Sequence, residues 1–357
     1  MIPAMKRHLL IPLCLLALLF TALPGCVDPQ YVGVPDEDSA EKPMLFSAGM
    51  MTAMVADTKA GTFPNDKPDV SLDVENNLIS LFGYRNINEQ VIFDYQDLKY
   101  SGDAWTYTPL QYWKHSGNYQ FMAVHPKLDR NTCSYSPDQG RLVSTYLMHG
   151  DDYDLKVADA SRLDMAYRYP EKTTPVELKF KHACAAVRFL FCKGSDAGNN
   201  DYYLHSFELQ KVHTVGALLY DAGTNITTAS WYVAEYLDPR VFEWEAASAA
   251  ENKTIPSNYA NYVSTYFGKA GEAVARWHYV IPQELTAGSA AINFSVLVNE
   301  NTDTAIPVYT TLNLPAITWE PGKVYTYYIQ IQPGSADITV TTIPWDEYSV
   351  ASDDIIF

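Results

Sequence analysis

From Met44 onward the apolar residues fall in short runs, many with a repeat of two, and no long stretch repeats every 3.6 residues. Val176, Leu178 and Phe180 alternate with Glu177 and Lys179, and Tyr325, Tyr327, Ile329 and Ile331 share one face of a second run. Side chains on a strand point alternately to opposite faces, so a period of two buries one face of a sheet. Gly, Pro, Asn or Asp bounds each run, as turns between antiparallel strands require. A helical bundle is therefore excluded, and the expected fold class is all-β.

The runs place strands at Met44–Ser47, Leu78–Tyr84, Val91–Tyr95, Trp105–Tyr107, Tyr119–Val124 and Arg141–Met148 in the first half. Strands are also expected at Val176–Phe180, Ser206–Thr214, Ala217–Tyr220, Trp277–Ile281, Ala291–Val298 and Ile338–Ile343. After Phe180 the apolar set changes phase to Ala183, Ala185, Val187, Phe189 and Phe191 without a turn residue, which points to a β-bulge near His182. His182 itself reads as a satisfied core histidine. Residues 243–266 are rich in Ala and Asn and read as an irregular insertion with a short helix. The polar, doubly prolinated stretch Pro170–Pro175 marks a division into two β-sandwich domains, 43–172 and 173–357.

The N-terminus carries a different signal. Lys6 and Arg7 precede the apolar run Leu9–Ala22, which is shorter than the ~20 residues a spanning helix needs. Such a run reads as a signal peptide, residues 1–25. It leads into Leu23-Pro24-Gly25-Cys26, the pattern of a lipobox. The small Gly25 leaves the scissile bond before Cys26 open to a peptidase, and the Cys26 sulfur can carry diacylglycerol. Acylation there predicts an outer-membrane lipoprotein, because each buried CH2 adds about 0.8 kcal/mol of membrane affinity. Residues 26–42 form an acidic tether that includes Asp36, Glu37 and Asp38.

Lys and Arg number 25 against 42 Asp and Glu, a formal charge of −17. Nucleic-acid binding through a basic patch is therefore not expected. Cys133, Cys184 and Cys192 are an odd set without ligand spacing, so neither a disulfide framework nor a metal site is expected. No GxSxG, HExxH, phosphate-binding or dinucleotide-binding motif occurs, so an enzyme and a cofactor are not expected. The 26 Tyr, 14 Phe and 7 Trp belong mostly to strand patterns. Trp231 and Trp244 flank the least regular stretch and are the candidates for stacking on a ligand such as a glycan.

Several segments together resemble the fimbrillin family of Bacteroidetes, the surface lipoproteins of type V fimbriae. They are Met44–Met50 (MLFSAGM) followed by DTKAGTF, Leu78–Tyr84 (LISLFGY), and Trp113 with YQFMAVHP. LDMA followed by VELKFKHACAAVRFLF, then WEPGKVYTYYIQI, complete the order. The resemblance implies two transthyretin-like β-sandwich domains in tandem and a non-enzymatic role in fimbria assembly or adhesion, with a tip or accessory position favoured. It implies proteolysis between Lys59 and Ala60, removal of a first strand containing Met44, Leu45 and Phe46, and replacement by a strand from another subunit. The tail ending Ile355-Ile356-Phe357 is a candidate donor segment. The acidic cluster in the tether resembles a surface-export signal. Expected partners are other fimbrial subunits, the outer-membrane lipid through Cys26, and a host or bacterial surface ligand. The alternative reading is a surface glycan-binding lipoprotein that uses exposed aromatic residues.

Overall fold

Strand-forming sequence dominates the computed structural model, which describes residues 42–50, 78–100, 104–114, 117–147, 154–162, 175–226, 229–234, 237–238, 241–257, 263–264 and 278–344. Among these residues there is no α-helix, only 3-10 turns. Seven strands form a closed barrel. They are β1 (Phe46–Met50), β2 (Leu78–Arg85), β3 (Gln90–Tyr100), β4 (Trp105–Thr106), β5 (Tyr119–His125), β8 (Lys156–Arg162) and β9 (Val176–His182), in the order β1-β4-β3-β2-β5-β8-β9. Inside it pack Phe46, Leu81, Phe93, Phe121, Leu178 and Phe180.

The wall β2-β5-β8 is buried on both faces. Leu81, Phe121 and Ala158 point into the barrel, whereas Phe82, Met122 and Val157 belong to a second core outside it. This explains why LISLFGY and YQFMAVH read as nearly continuous apolar runs while β9 alternates cleanly. At Gly83 the β2–β3 register shifts, and a Cβ there would lie 2.5 Å from the ring of Phe93. Only glycine fits that close approach.

The second core lies between two sheets. One contains β10 (Ala185–Lys193), β18 (Val263–Ser264), β19 (His278–Val280), β24 (Lys323–Gln332) and β25 (Ser335–Pro344), ordered β18-β10-β24-β25 with β19 also on β10. The other contains β11 (Tyr202–Gln210), β16 (Val241–Glu245), β17 (Lys253–Thr254), β21 (Ala291–Val298) and β22 (Val308–Asn313), ordered β16-β11-β21-β22 with β17 also on β11. Rings meet across the interior: Phe189 and Phe207 at 5.1 Å between centroids, Phe191 and Phe294 at 5.2 Å. The expected face of Tyr325, Tyr327, Ile329 and Ile331 is buried in this core. The turn before it is tied down by Tyr325, whose hydroxyl donates to the Thr318 carbonyl and accepts from the Glu320 amide. Gly322 in that turn has φ +66°, a left-handed conformation that glycine adopts without cost.

Three smaller associations complete the set. β6 (Cys133–Ser136), β7 (Arg141–Leu147), β13 (Val215–Asp221) and β14 (Ser230–Val233) form a sheet ordered β14-β13-β7-β6. β12 (Val212–His213) pairs with β15 (Leu237–Asp238), and β20 (Gln283–Leu285) pairs with β23 (Ile317–Trp319).

The structure corrects two local expectations. The phase change near His182 is not a bulge: Ala183 and Cys184 connect β9, in the barrel, to β10, in another sheet. A change of sheet changes the buried face, and this produces the phase shift. In residues 243–266 no α-helix occurs among the described residues, which instead form part of β16, the 3-10 turn Ala249–Glu251, β17 and β18. Strand pairing also crosses the expected division at 172/173. β9 lies beyond it yet closes the barrel, and β7 lies before it yet pairs with β13. Cys133, Cys184 and Cys192 are buried free thiols, and burial pushes the Cys133 thiol up to about 12.

Candidate functional site

The first strand closes the barrel, and its sequence suits that place. Met44 and Phe46 are buried with Leu45 between them half-buried, the alternation of a strand with one face on a core. β1 runs parallel to β9 through five register pairs, from Phe46↔Val176 to Met50↔Phe180. On its other side it meets β4 at one pair, Phe46↔Trp105. The chain before it is held by single hydrogen bonds. The Met44 amide donates to the Gln111 carbonyl at 2.8 Å, and the Val176 amide donates to the Leu45 carbonyl at 2.7 Å. The Tyr107 hydroxyl donates to the Met44 carbonyl at 2.8 Å. Burial pushes the Tyr107 phenol above its usual range, although its hydrogen bond with Gln111 acts the other way.

The side chain of Phe46 enters an aromatic cage. Phe46 lies edge-on to Phe93, Tyr107 and Phe121 at centroid separations of 5.6, 5.8 and 5.4 Å. Without β1, β4 and β9 would have no common neighbour, and the barrel would be open between them. An open slot presents unpaired backbone groups along β9 and an apolar floor. Main-chain bonds to such a slot accept any extended segment, and pockets at alternate positions select its side chains.

At the end of the barrel next to the second core, Asp154 joins His182 Nδ1 and Lys156, the latter at 3.2 Å, with all three side chains buried. Burial alone would raise the Asp154 carboxyl, but the charges of His182 and Lys156 outweigh it and hold the carboxyl below its usual range. Lys156 and His182 are register partners on β8 and β9, so the cluster pins the strand that β1 pairs with. Asp154 was not singled out in the sequence, and only the neighbouring strand could have revealed it.

The tryptophan candidates are partly buried. The Trp231 indole donates to the Ala183 carbonyl at 3.0 Å and its ring packs on the second core. Trp244 also packs on that core and lines a hollow on the outer side of β11 and β21. The structure brings Met44, Leu45 and Phe46 together at the slot and places both tryptophans elsewhere. Gly25, Cys26, Lys59, Ala60, Ile355, Ile356 and Phe357 lie outside the described residues. Among the described residues no cluster of three or more His, Cys, Asp or Glu could hold a metal ion.

A barrel closed by one short strand and backed by a second core on the same wall makes this an all-β protein. Residues 69–345 match the model of the fimbrillin-like family, and the chain belongs to that family. A fimbrial protein from Bacteroides vulgatus has a similar fold, with a TM-score of 0.58 at 13% identity, over 85% of this chain and 99% of that one. A Parabacteroides distasonis protein named for cell adhesion is similar with a TM-score of 0.50 at 11% identity, over 86% of this chain and 97% of that one. No curated protein matches the chain.

Proposed function

We propose that this chain is a fimbrial subunit or fimbria-associated adhesion lipoprotein, displayed at the outer-membrane surface and joined to other subunits by β-strand exchange. The observation that carries the reading is the position of β1, which among the described strands is the one that lies between β4 and β9 and closes the barrel. Cleavage between Lys59 and Ala60 would separate β1 from the chain that follows. Its departure would uncover the cage of Phe93, Tyr107 and Phe121. Burying each large apolar side chain is worth about 1.5–3 kcal/mol, so the slot favours a replacement strand with apolar residues at alternate positions. The segment ending Ile355-Ile356-Phe357 is the proposed donor, with Ile355 and Phe357 two positions apart to enter neighbouring pockets. The proposal keeps two transthyretin-like domains in tandem, 43–172 and 173–357; two hydrophobic clusters support two cores, although Phe82, Met122 and Val157 join the second core and Val176, Leu178 and Phe180 the first. The function needs no catalysis and no cofactor, and a tip or accessory position is favoured. Lipid on Cys26 provides the anchor.

Limited digestion of the purified chain with a Lys- or Arg-specific protease tests the reading. The expected result is loss of an N-terminal piece ending at Lys59 and the appearance of SDS-resistant oligomers, with both abolished in Lys59→Ala. A chain that is cut at Lys59, releases β1 and stays monomeric at high concentration overturns strand exchange.

A further inference from the structure

The outer face of the β16-β11-β21-β22 sheet carries a hollow of about 390 Å3 that the strand-exchange slot does not use. β11 shifts register twice, between Leu204 and Ser206 on β21 and between Phe207 and Leu209 on β16. Such irregularities bend and twist a strand and re-aim its side chains. Here they lie on both sides of Ser206 and Phe207, which line the hollow.

A row of polar side chains crosses the sheet at this place. Gln210 donates to the Glu208 carboxylate, Asn293 donates to the same oxygen at 2.7 Å, and Thr311 donates to Asn293 Oδ1 at 2.6 Å. Three strands thus hold one line of carboxylate, amide and hydroxyl groups before any ligand arrives. Each amide and carboxylate has several donor or acceptor sites, so these groups can bond a ligand hydroxyl while they position one another. Tyr309 stands beside the row on β22 and is 72% exposed. Its ring offers an apolar face with a polar tip, the combination that suits a partner with both characters. Glu208, Glu243 and Glu245 also line the hollow, and among the described residues no Lys or Arg lines it, which disfavours anions.

We propose that this hollow binds a neutral glycan, with a sugar ring resting on Tyr309 and its hydroxyls bonded to the Gln210–Glu208–Asn293–Thr311 row. The volume is that of a small-molecule site, about 300–1,000 Å3. Vicinal sugar hydroxyls donate and accept together, as the mixed row requires. The site is separate in sequence and in sheet from β1, so the two activities are independent.

Affinity electrophoresis of the full chain through native gels containing neutral glucan, xylan, mannan or galactan tests the site, with polygalacturonate as the anionic comparison. Retardation is expected in at least one neutral polysaccharide and not in polygalacturonate. Tyr309→Ala should weaken it about tenfold or more, equivalent to about 1.4 kcal/mol. Tyr232→Ala, at a residue 63% exposed on β14, should leave it unchanged. Tyr309 is too exposed to carry the fold, and an unchanged circular dichroism melt of the variant would show this. Absence of retardation in all four neutral polysaccharides, retardation by polygalacturonate alone, or equal behaviour of the two variants overturns the proposal. Protease-induced oligomers should form equally well in Tyr309→Ala, which keeps this outcome distinct from that of strand exchange.

Discussion

The ring of Phe46 meets the ring of Phe121 edge-on, with centroids 5.4 Å apart and planes at 82°. Phe46 comes from the first strand and Phe121 from the middle of the barrel wall, so this contact spans the barrel interior. Phe46→Ala removes a ring that also touches Phe93 and Tyr107. The expected loss is about 3–5 kcal/mol, the usual cost of truncating a buried phenylalanine. Denaturant titration of the uncut chain measures it. A loss below 1 kcal/mol would mean that β1 is not part of the folded core.

Gly83→Ala should also destabilise the uncut chain. The added Cβ would approach the Phe93 ring at 2.5 Å and the Phe121 ring at 3.2 Å. Both rings are enclosed, so neither can withdraw without disturbing Phe46. Overpacking of this kind costs about 1–3 kcal/mol. Thermal melts of the variant alone and combined with Phe93→Leu, which gives the added Cβ room, separate crowding from the general effect of losing a glycine, because relief of crowding makes the two changes non-additive.

Asp154 predicts an acid limb in the stability curve. Its carboxyl is held below the usual range in the folded chain. Its contribution is therefore complete above the unfolded value of about 3.9 and is lost as pH falls through the lower folded value. Asp154→Asn leaves Lys156 and His182 buried without their counter-charge, and breaking such a group typically costs about 3–5 kcal/mol near neutral pH. The gap between the native chain and the variant should narrow below pH ~4. Parallel denaturation series at several pH values check this, and a gap that widens with acid would contradict the assignment.

Lipid attachment has a direct test. On the proposed lipoprotein reading, Cys26→Ser should move the chain from the membrane to the soluble fraction, and metabolic labelling with a palmitate analogue should vanish. Persistence in the membrane fraction would exclude Cys26 as the anchor.

The alternating runs revealed most strands because burial on one face imposes a period of two. Ala291–Val298 lies where it was expected, and the Val176–Phe180 run is the core of β9. Partnership was less legible. That β1 lies parallel to β9, about 130 residues later, depends on which apolar faces meet, and many pairs of apolar faces would satisfy the pattern. The change of sheet at Ala183 and Cys184 mimics a bulge because both invert the buried face. Asp154 precedes β8 with no local cue, and its meaning depends on His182 arriving from the neighbouring strand. The hollow beside Tyr309 was hidden for a related reason. Glu208, Asn293 and Thr311 are unremarkable in sequence and become a row only through the registers Glu208↔Asn293 and Asn293↔Thr311.

The parallel pairing of β1 with β9 sets how the protein meets a pulling force. β9 continues through Ala183 and Cys184 into β10, which in turn lies parallel to β24 over eight register pairs. Tension applied to the N-terminal end of a parallel segment filling the β1 position would load its bonds to β9 in shear, so all five register pairs must yield together rather than one after another. The load then passes along one covalent strand from the barrel into the centre of the second sheet. A filament linked in this way would resist detachment most strongly along its own axis, while the same ladder peeled from one end would open pair by pair.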